Sequence, residues 1–399
     1  MRMTDSSNTR IAWLVPISAF YWQHALSEMA RIYPSTRLFT ASWPGYARGY
    51  ENLLEYEIVG NVKIVDKAGK AERDLGYSEF LKILSPKIVV NLLKYQPDVV
   101  FTASFGIWTI LALIFKYIGG WQVIISYEGS SPRVDYTSSP LRLWLRRLMV
   151  KASDGCLTNT QSGRKYLVNT LWANSRQVFN FPHEIPSLKS LTVEHNGLSL
   201  VANMPEAGSK VKFLFVGQII PRKGLQHLLN TCQLLINQDI NDFTISIIGD
   251  GPERQNLEEY CEVNGLSKYI SWLGRIDYDQ LGNHFIHSDV FVFPTLEDTW
   301  GMVILEAMLL GKPILASKLA GAAELVIEGE NGFTFVPTHP TELAVQMTTI
   351  IRNPDLILSM GENSKKIMSN YSAKKTALRL EQLVNLITSK GHHDFPFDI

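Results

Sequence analysis

Cysteine is scarce in this 399-residue chain: there are only Cys156, Cys232 and Cys261, an odd number without metal-ligand spacing. Neither a disulfide framework nor a zinc site is expected from them, and a reducing compartment is the default setting. An excess of charge of one sign is also lacking, because 38 Lys and Arg balance 38 Asp and Glu. That balance argues against bulk electrostatic attraction to nucleic acid, and no nucleic-acid partner is expected. No apolar run reaches the ~20 residues that a bilayer-spanning helix takes. The longest, residues 107–115, stops at Lys116 and reads as a buried helix that follows a strand at 98–101. Residues 1–10 are polar, and 11–19 are too short and wrongly flanked for a secretory leader, so a cytoplasmic location is expected. A G-x-G-x-x-G fingerprint is missing after the first strand, where the chain reads Pro16-Ile-Ser-Ala-Phe-Tyr-Trp-Gln-His24.

What is present is apolar material, 46% of the residues, at a length that suits two α/β domains. Strand-like runs at 11–15, 36–40, 62–65, 99–102, 123–126 and 156–159 alternate with helical stretches, the pattern of a doubly wound parallel sheet. Periodicity lapses over 182–209, where Pro, Ser, Asn and Gly gather. The expected division is a first domain at 1–185, a linker at 186–209 and a second domain at 210–370. The fold class is α/β, two doubly wound Rossmann-like domains whose carboxyl strand edges face one cleft.

The most informative segment is 291–317. It reads as a buried strand, a carboxylate-bearing turn, a short helix from about Trp300 or Gly301, and a second buried strand after the stop Gly311-Lys-Pro313. Helix N-termini hold phosphates through free amides and the macrodipole, and Gly301 keeps Cβ out of a ligand's way. Glu306 shares a helix face with Met302 and Val303, so its carboxylate leans back toward that end, where it can accept hydrogen bonds from vicinal hydroxyls. A second strand-to-helix loop, 217–224, carries Arg222 and Lys223 before Gly224. A guanidinium grips a diphosphate bidentately and an ammonium adds a point charge.

With seven residues between Asp298 and Glu306, the segment resembles the E-x7-E signature of retaining, GT-B-fold glycosyltransferases of family 4. Glu297 is an alternative for the first position; counting back from Gly301 favours Asp298. The resemblance covers 211 to about 340 and includes the Gly249-Asp-Gly-Pro252 turn, with Pro252 read as the first helical position, and the strand ending at Gly274. It implies donor contacts from Gln218, Arg222, Lys223, Gly274, Arg275, Ile276, Asp298, Thr299, Trp300, Gly301, Met302, Val303 and Glu306. Gln218 stands where relatives carry Arg, and Arg222 is the evident replacement. In this reading Lys223 and Arg222 stabilise the leaving diphosphate, Asp298 holds sugar hydroxyls and Glu306 the ribose diol. No cofactor and no metal is implied. The helical segment 373–388 is expected to cross back to the first domain, followed by a tail to residue 399.

The first domain departs from the family twice. The paired glycines usual after the first strand are absent, leaving Tyr21, Trp22, Gln23 and His24 either as an acceptor platform or as packing. Glu128 stands near where relatives place a sugar-facing His, and is expected either to accept sugar hydroxyls, to serve as a nucleophile, or to be only a turn residue. Asn159 and Arg164 fall in a neighbouring strand–helix loop. Residues 141–151 form a basic amphipathic helix with Arg142, Arg146 and Lys151 around an apolar stripe that includes Trp144, read either as a core-facing helix or as a peripheral membrane contact. The function implied is transfer of a hexose, with retention, from a UDP- or GDP-linked sugar to a hydroxyl of a glycan or lipid-linked acceptor in polysaccharide or glycolipid assembly. A nucleotide-sugar epimerase of the same fold and a non-catalytic sugar-nucleotide-binding subunit are the alternatives.

Overall fold

Strands buried on both faces read as unbroken apolar runs, and the parallel sheets here are built from such runs. In the computed structural model, which describes residues 8–66, 80–192 and 209–389, the chain divides into two units. Within the described residues the first comprises 8–66, 80–185 and 371–389, and the second 186–192 and 209–370.

The first unit contains β1 (Ile11–Leu14), α1 (Phe20–Ile32), β2 (Thr36–Thr40), β3 (Glu55–Ile58), β4 (Lys63–Asp66), β5 (Phe80–Ile83), α2 (Ile88–Tyr95), β6 (Val99–Ala103), α3 (Ile107–Gly119), β7 (Gln122–Tyr127), α4 (Pro140–Ala152), β8 (Gly155–Thr158) and β9 (Val178–Asn180). Its parallel sheet has the order β3-β2-β1-β6-β7-β8-β9. One face packs Leu14, Val100, Val123 and Ile125 against Leu92 of α2, Trp108 and Ala112 of α3, and Met149 and Val150 of α4. The other packs Ile11, Trp13, Phe101 and Ile124 against Trp22, Leu26 and Met29 of α1 and against a last helix from the far end of the chain.

Two strands differ from the sequence reading. The segment expected as a sheet strand at 62–65 is β4, which pairs antiparallel with β5 apart from the main sheet. The edge beside β2 is taken instead by β3, whose Glu55 accepts a 2.8 Å bond from Arg37. The alternation Glu-Tyr-Glu-Ile hides β3, because an edge strand needs no continuous apolar run.

The second unit runs β10 (Val211–Val216), α5 (Leu225–Asn237), β11 (Phe243–Ile248), α6 (Arg254–Val263), β12 (Ile270–Gly274), β13 (Val290–Phe293), α7 (Met302–Leu309), β14 (Ile314–Ser317), β15 (Gly332–Phe335), α8 (Pro340–Arg352) and α9 (Asp355–Met368). Its parallel order is β12-β11-β10-β13-β14-β15. The chain winds outward from β10 through β12 and then returns to place β13 on β10's other side. The switch point of the sheet therefore lies between β10 and β13, where open α/β sheets leave a crevice outside the strand ends. Pro252 precedes α6 instead of opening it. Gly321–Leu325, after β14, form a 3-10 turn.

Residues 186–192, expected as linker, include a one-turn helix, Leu188–Leu191, packed within the second unit. The rest of that linker, 193–208, and the tail 390–399 lie outside the described residues. The last helix, α10 (Ala373–Thr388), starts at Ser372, whose hydroxyl accepts from Lys375 N. It lies on α1 in the first unit, where Thr376 donates to Pro182 O.

Candidate functional site

At the β10/β13 switch point two loops are welded together by backbone. Leu296 N donates to Arg222 O at 2.8 Å and Thr295 Oγ1 donates to the same oxygen at 3.1 Å. Gly224, with φ +70°, closes the first loop so tightly against β13 that a Cβ there would stand 2.0 Å from Pro294 O. A glycine is required for both reasons. Lys223 is thereby set against Asp298, Nζ to Oδ2 2.5 Å, with both side chains largely shielded from solvent. Arg222 donates through Nη1 to Glu297 O at 2.8 Å. Asp298 also anchors the turn: its N donates to Leu319 O, its O accepts from Gly321 N, and its Oδ1 receives Trp300 N at 3.3 Å.

Gly301, at φ +91°, ends that turn as the N-cap of α7. The amides of Met302 and Val303 open the helix, positions without an intrahelical acceptor. One turn inside, Glu306 is buried. Burial raises its carboxyl from 4.5 to about 7, and the hydrogen bond from Tyr278 offsets part of that rise. Tyr278 follows the β12 end at Gly274, Arg275 and Ile276, so the three loops bearing the expected donor residues lie at the carboxyl ends of β10, β12 and β13, strands of one sheet. Gln218 and Arg275 are exposed on this rim. Tyr278 was not found by sequence reasoning, since a lone Tyr in a turn carries no pattern.

The first unit has its own polar cluster at strand ends. Glu128 follows β7, Asn159 follows β8, and His183 with Glu184 follows β9. Glu128 and Glu184 hydrogen-bond through their carboxyls, and Asn159 Nδ2 donates to Glu184 Oε2 at 3.3 Å. Burial first, then the charge of Glu128, pushes Glu184 well above the ordinary carboxylate range. Two hydrogen-bonded carboxyls share one proton, and the upward shift of Glu184 puts it on that side of the pair. Asn159 Oδ1 accepts from His183 N, and His183 Nε2 lies 2.7 Å from Ser126 Oγ. Burial lowers His183 to about 3, so it is neutral. Glu184 and His183 escaped sequence reasoning because they follow a three-residue strand in a stretch read as the end of periodicity.

Other expected residues are engaged structurally. Trp22, Gln23 and His24 are buried: Gln23 spans Gly45 O and Ala47 N, and His24 Nδ1 meets Ile185 O at 2.7 Å. With partly buried Tyr21 also packed on that core, these residues pack α1 and do not form a platform. Arg164 donates to Ser175 O at 3.2 Å. Among the described residues, no group of three or more His, Cys, Asp or Glu is placed to hold a metal ion.

Residues 202–367 match the family model described as Glycosyl transferases group 1. This part of the chain is similar to that family. An uncharacterised glycosyltransferase of Methanocaldococcus jannaschii is 31% identical over 170 residues, 43% of this chain and 46% of the relative. The sulfoquinovosyl transferase SQD2 of Arabidopsis thaliana is 25% identical over 312 residues, 75% of this chain and 59% of that protein. The matches thus span about half the length of these relatives. Among solved structures, Anabaena HepE in complex with UDP superposes with a TM-score of 0.71 at 16% identity, covering 95% of this chain and all of HepE. Sucrose-phosphate synthase of Thermosynechococcus elongatus gives 0.68 at 16% identity, covering 96% of this chain and all of that one. The fold is GT-B, a pair of Rossmann-like domains.

Proposed function

We propose that the chain is a retaining glycosyltransferase that moves a hexose from a nucleoside-diphosphate sugar to a hydroxyl acceptor. The observation that carries this reading is Lys223 paired with Asp298, and Arg222 tied to Glu297 O, in the turn that leads to the Gly301 N-cap of α7. Preorganised cations and amides act most strongly where leaving-group charge develops. In this reading the diphosphate takes Lys223 Nζ as its partner, and Asp298, released from the ion pair, accepts hydroxyls of the sugar. Glu306, protonated in part near neutrality, can both donate to and accept from the ribose diol while Tyr278 hydrogen-bonds its carboxyl. Glu128 offers a carboxylate to a sugar hydroxyl because Glu184 keeps the shared proton.

Attack occurs on the face that the diphosphate leaves, and a departing phosphate oxygen takes the acceptor proton. The C–O bond to the diphosphate breaks as the bond to the acceptor oxygen forms. A uridine donor is favoured by neighbours solved with UDP and UDP-glucose. Polysaccharide or glycolipid assembly is favoured by structural neighbours named for lipopolysaccharide.

The test is release of nucleoside diphosphate from a panel of UDP- and GDP-sugars, with and without hydroxyl acceptors. Acceptor-dependent release with the anomeric configuration kept is expected. Acceptor-independent conversion of the donor sugar would point to an epimerase, and inversion would remove the mechanism.

A further inference from the structure

Successive side chains of a strand point to opposite faces, and the end of β7 uses both. Ser126 and, just past the strand, Glu128 meet the polar cluster, Ser126 at His183 and Glu128 at Glu184. Tyr127, between them, turns the other way, into the core shared with α3 and α4. There its hydroxyl donates to Oδ1 of Asp135, a buried carboxylate, and Ser130 Oγ donates to Oδ2 of the same group at 2.5 Å. One carboxylate therefore holds residues on either side of Glu128. The Glu128 carbonyl is held as well, accepting from Asn159 N at 3.2 Å.

Asp135 is itself fixed by uncommon backbone. It ends a one-turn helix, Pro132–Asp135, and the next residue, Tyr136, has φ +51°, a conformation that residues with side chains rarely adopt. A π-helical turn, Tyr166–Thr170, continues the short helix Gln161–Lys165 after β8 and brings the Tyr166 hydroxyl to Asp135 O at 2.6 Å. Arg146 of α4 donates to that carbonyl oxygen at 3.2 Å and to the Tyr166 hydroxyl at 2.8 Å, with its guanidinium over the rings of Phe105 and Tyr136.

π-helical turns and positive-φ side chains persist where the surroundings over-determine them, and they gather at functional sites. Here both converge on one residue. Burial raises the Asp135 carboxyl, and the bonds from Ser130 and Tyr127 and the charge of Arg146 offset only part of that rise. A buried charge that is retained against such a penalty fits a requirement for geometry better than one for stability.

We propose that Asp135 is a positioning residue for Glu128. From the opposite face of β7 it clamps Tyr127 and Ser130, which keeps the Glu128 carboxyl against Glu184 and presents the partly exposed Glu128 side chain to a sugar hydroxyl. That Glu128 meets a sugar rests on the transferase reading; that Asp135 sets its place does not.

The experiment titrates the full chain by carboxyl-carbon NMR with isotope-labelled glutamate, and measures turnover with the donor and acceptor that the panel above selects. In wild type the pair of Glu128 and Glu184, with Asn159, Ser126 and neutral His183 beside it, holds its shared proton above the ordinary carboxylate range. Asp135→Ala removes the acceptor of both clamping bonds. Tyr127→Phe combined with Ser130→Ala removes both donors but keeps the ring and leaves Asp135 and Arg146 in place. In each variant the two carboxyls should separate and titrate in the ordinary range. Each is expected to lose at least about tenfold in kcat while affinity for UDP alone stays within about twofold. Ser130→Thr, which keeps a hydroxyl, should behave as wild type in both readouts. Circular dichroism and melting temperature establish that the variants fold; should Asp135→Ala not fold, the Tyr127→Phe/Ser130→Ala variant decides. A folded clamp-breaking variant whose pair titrates as in wild type overturns the proposal, and so does a wild type whose two carboxyls titrate independently. Should the panel show no turnover, the transferase reading falls, and the titration still decides what Asp135 does.

Discussion

Three single side chains give the sharpest expectations. Removing Lys223 takes away a charge-assisted partner of the diphosphate, an interaction of ~1.5–3 kcal/mol. Lys223→Ala should therefore weaken donor affinity about 10- to 100-fold in titration calorimetry. Glu306 titrates near 7 in the fold and at 4.5 when exposed, so the native state binds the extra proton between those values. The stability contributed by Glu306 is then fully present below 4.5 and is lost as pH rises through about 7, by at most ~3 kcal/mol. Glu306→Gln should flatten that fall, read as the melting temperature of wild type and variant across the range; parallel curves would contradict the placement of Glu306. The carboxyl pair is expected to hold its one shared proton to well above the ordinary carboxylate range. If turnover needs the singly protonated pair, Glu184→Gln should remove a basic limb from the rate–pH profile, and an unaltered profile would dissociate Glu184 from Glu128.

At the level of helices, strands and loops, legibility followed burial. Strands sealed on both faces, β1, β6, β7, β10 and β13, were readable because of their apolar runs, and α10 has the bounds read from the sequence, 373–388. The edge strand β3 and the short β9 were not, since charged alternation and three residues carry too little pattern. Amphipathic helices gave their existence but not their orientation: periodicity specifies a stripe, and only the packing of Arg146 on Asp135 and Tyr166 decides which side faces in. The positions of Lys223, Asp298 and Gly301 were legible because each sits at a strand end or helix start with its own local signal. Glu184 and Tyr278 were not, because their significance is a partner distant in sequence. The weld between the loops after β10 and β13 has a mutational signature. Gly224→Ala must push Pro294 O away and hold a Cβ at positive φ, so a loss on the order of 2–3 kcal/mol is expected in urea denaturation. A loss below about 0.5 kcal/mol would mean that the loops are not locked together.

For the chain as a whole, two parallel sheets of seven and six strands supply polar clusters of different character. The second unit gathers cations, amides and two carboxylates at its switch point, chemistry suited to a nucleoside diphosphate joined to a sugar. The first gathers a proton-sharing carboxyl pair with Asn159 and neutral His183, chemistry suited to hydroxyls. The most direct measurement is calorimetric titration of the intact chain with UDP, UDP-glucose and the corresponding GDP compounds, repeated with Lys223→Ala. Saturable binding of one base class that Lys223→Ala weakens at least about tenfold is expected. Binding of equal strength to wild type and variant would place the diphosphate elsewhere and contradict the assignment of the β10/β13 switch point as the donor site.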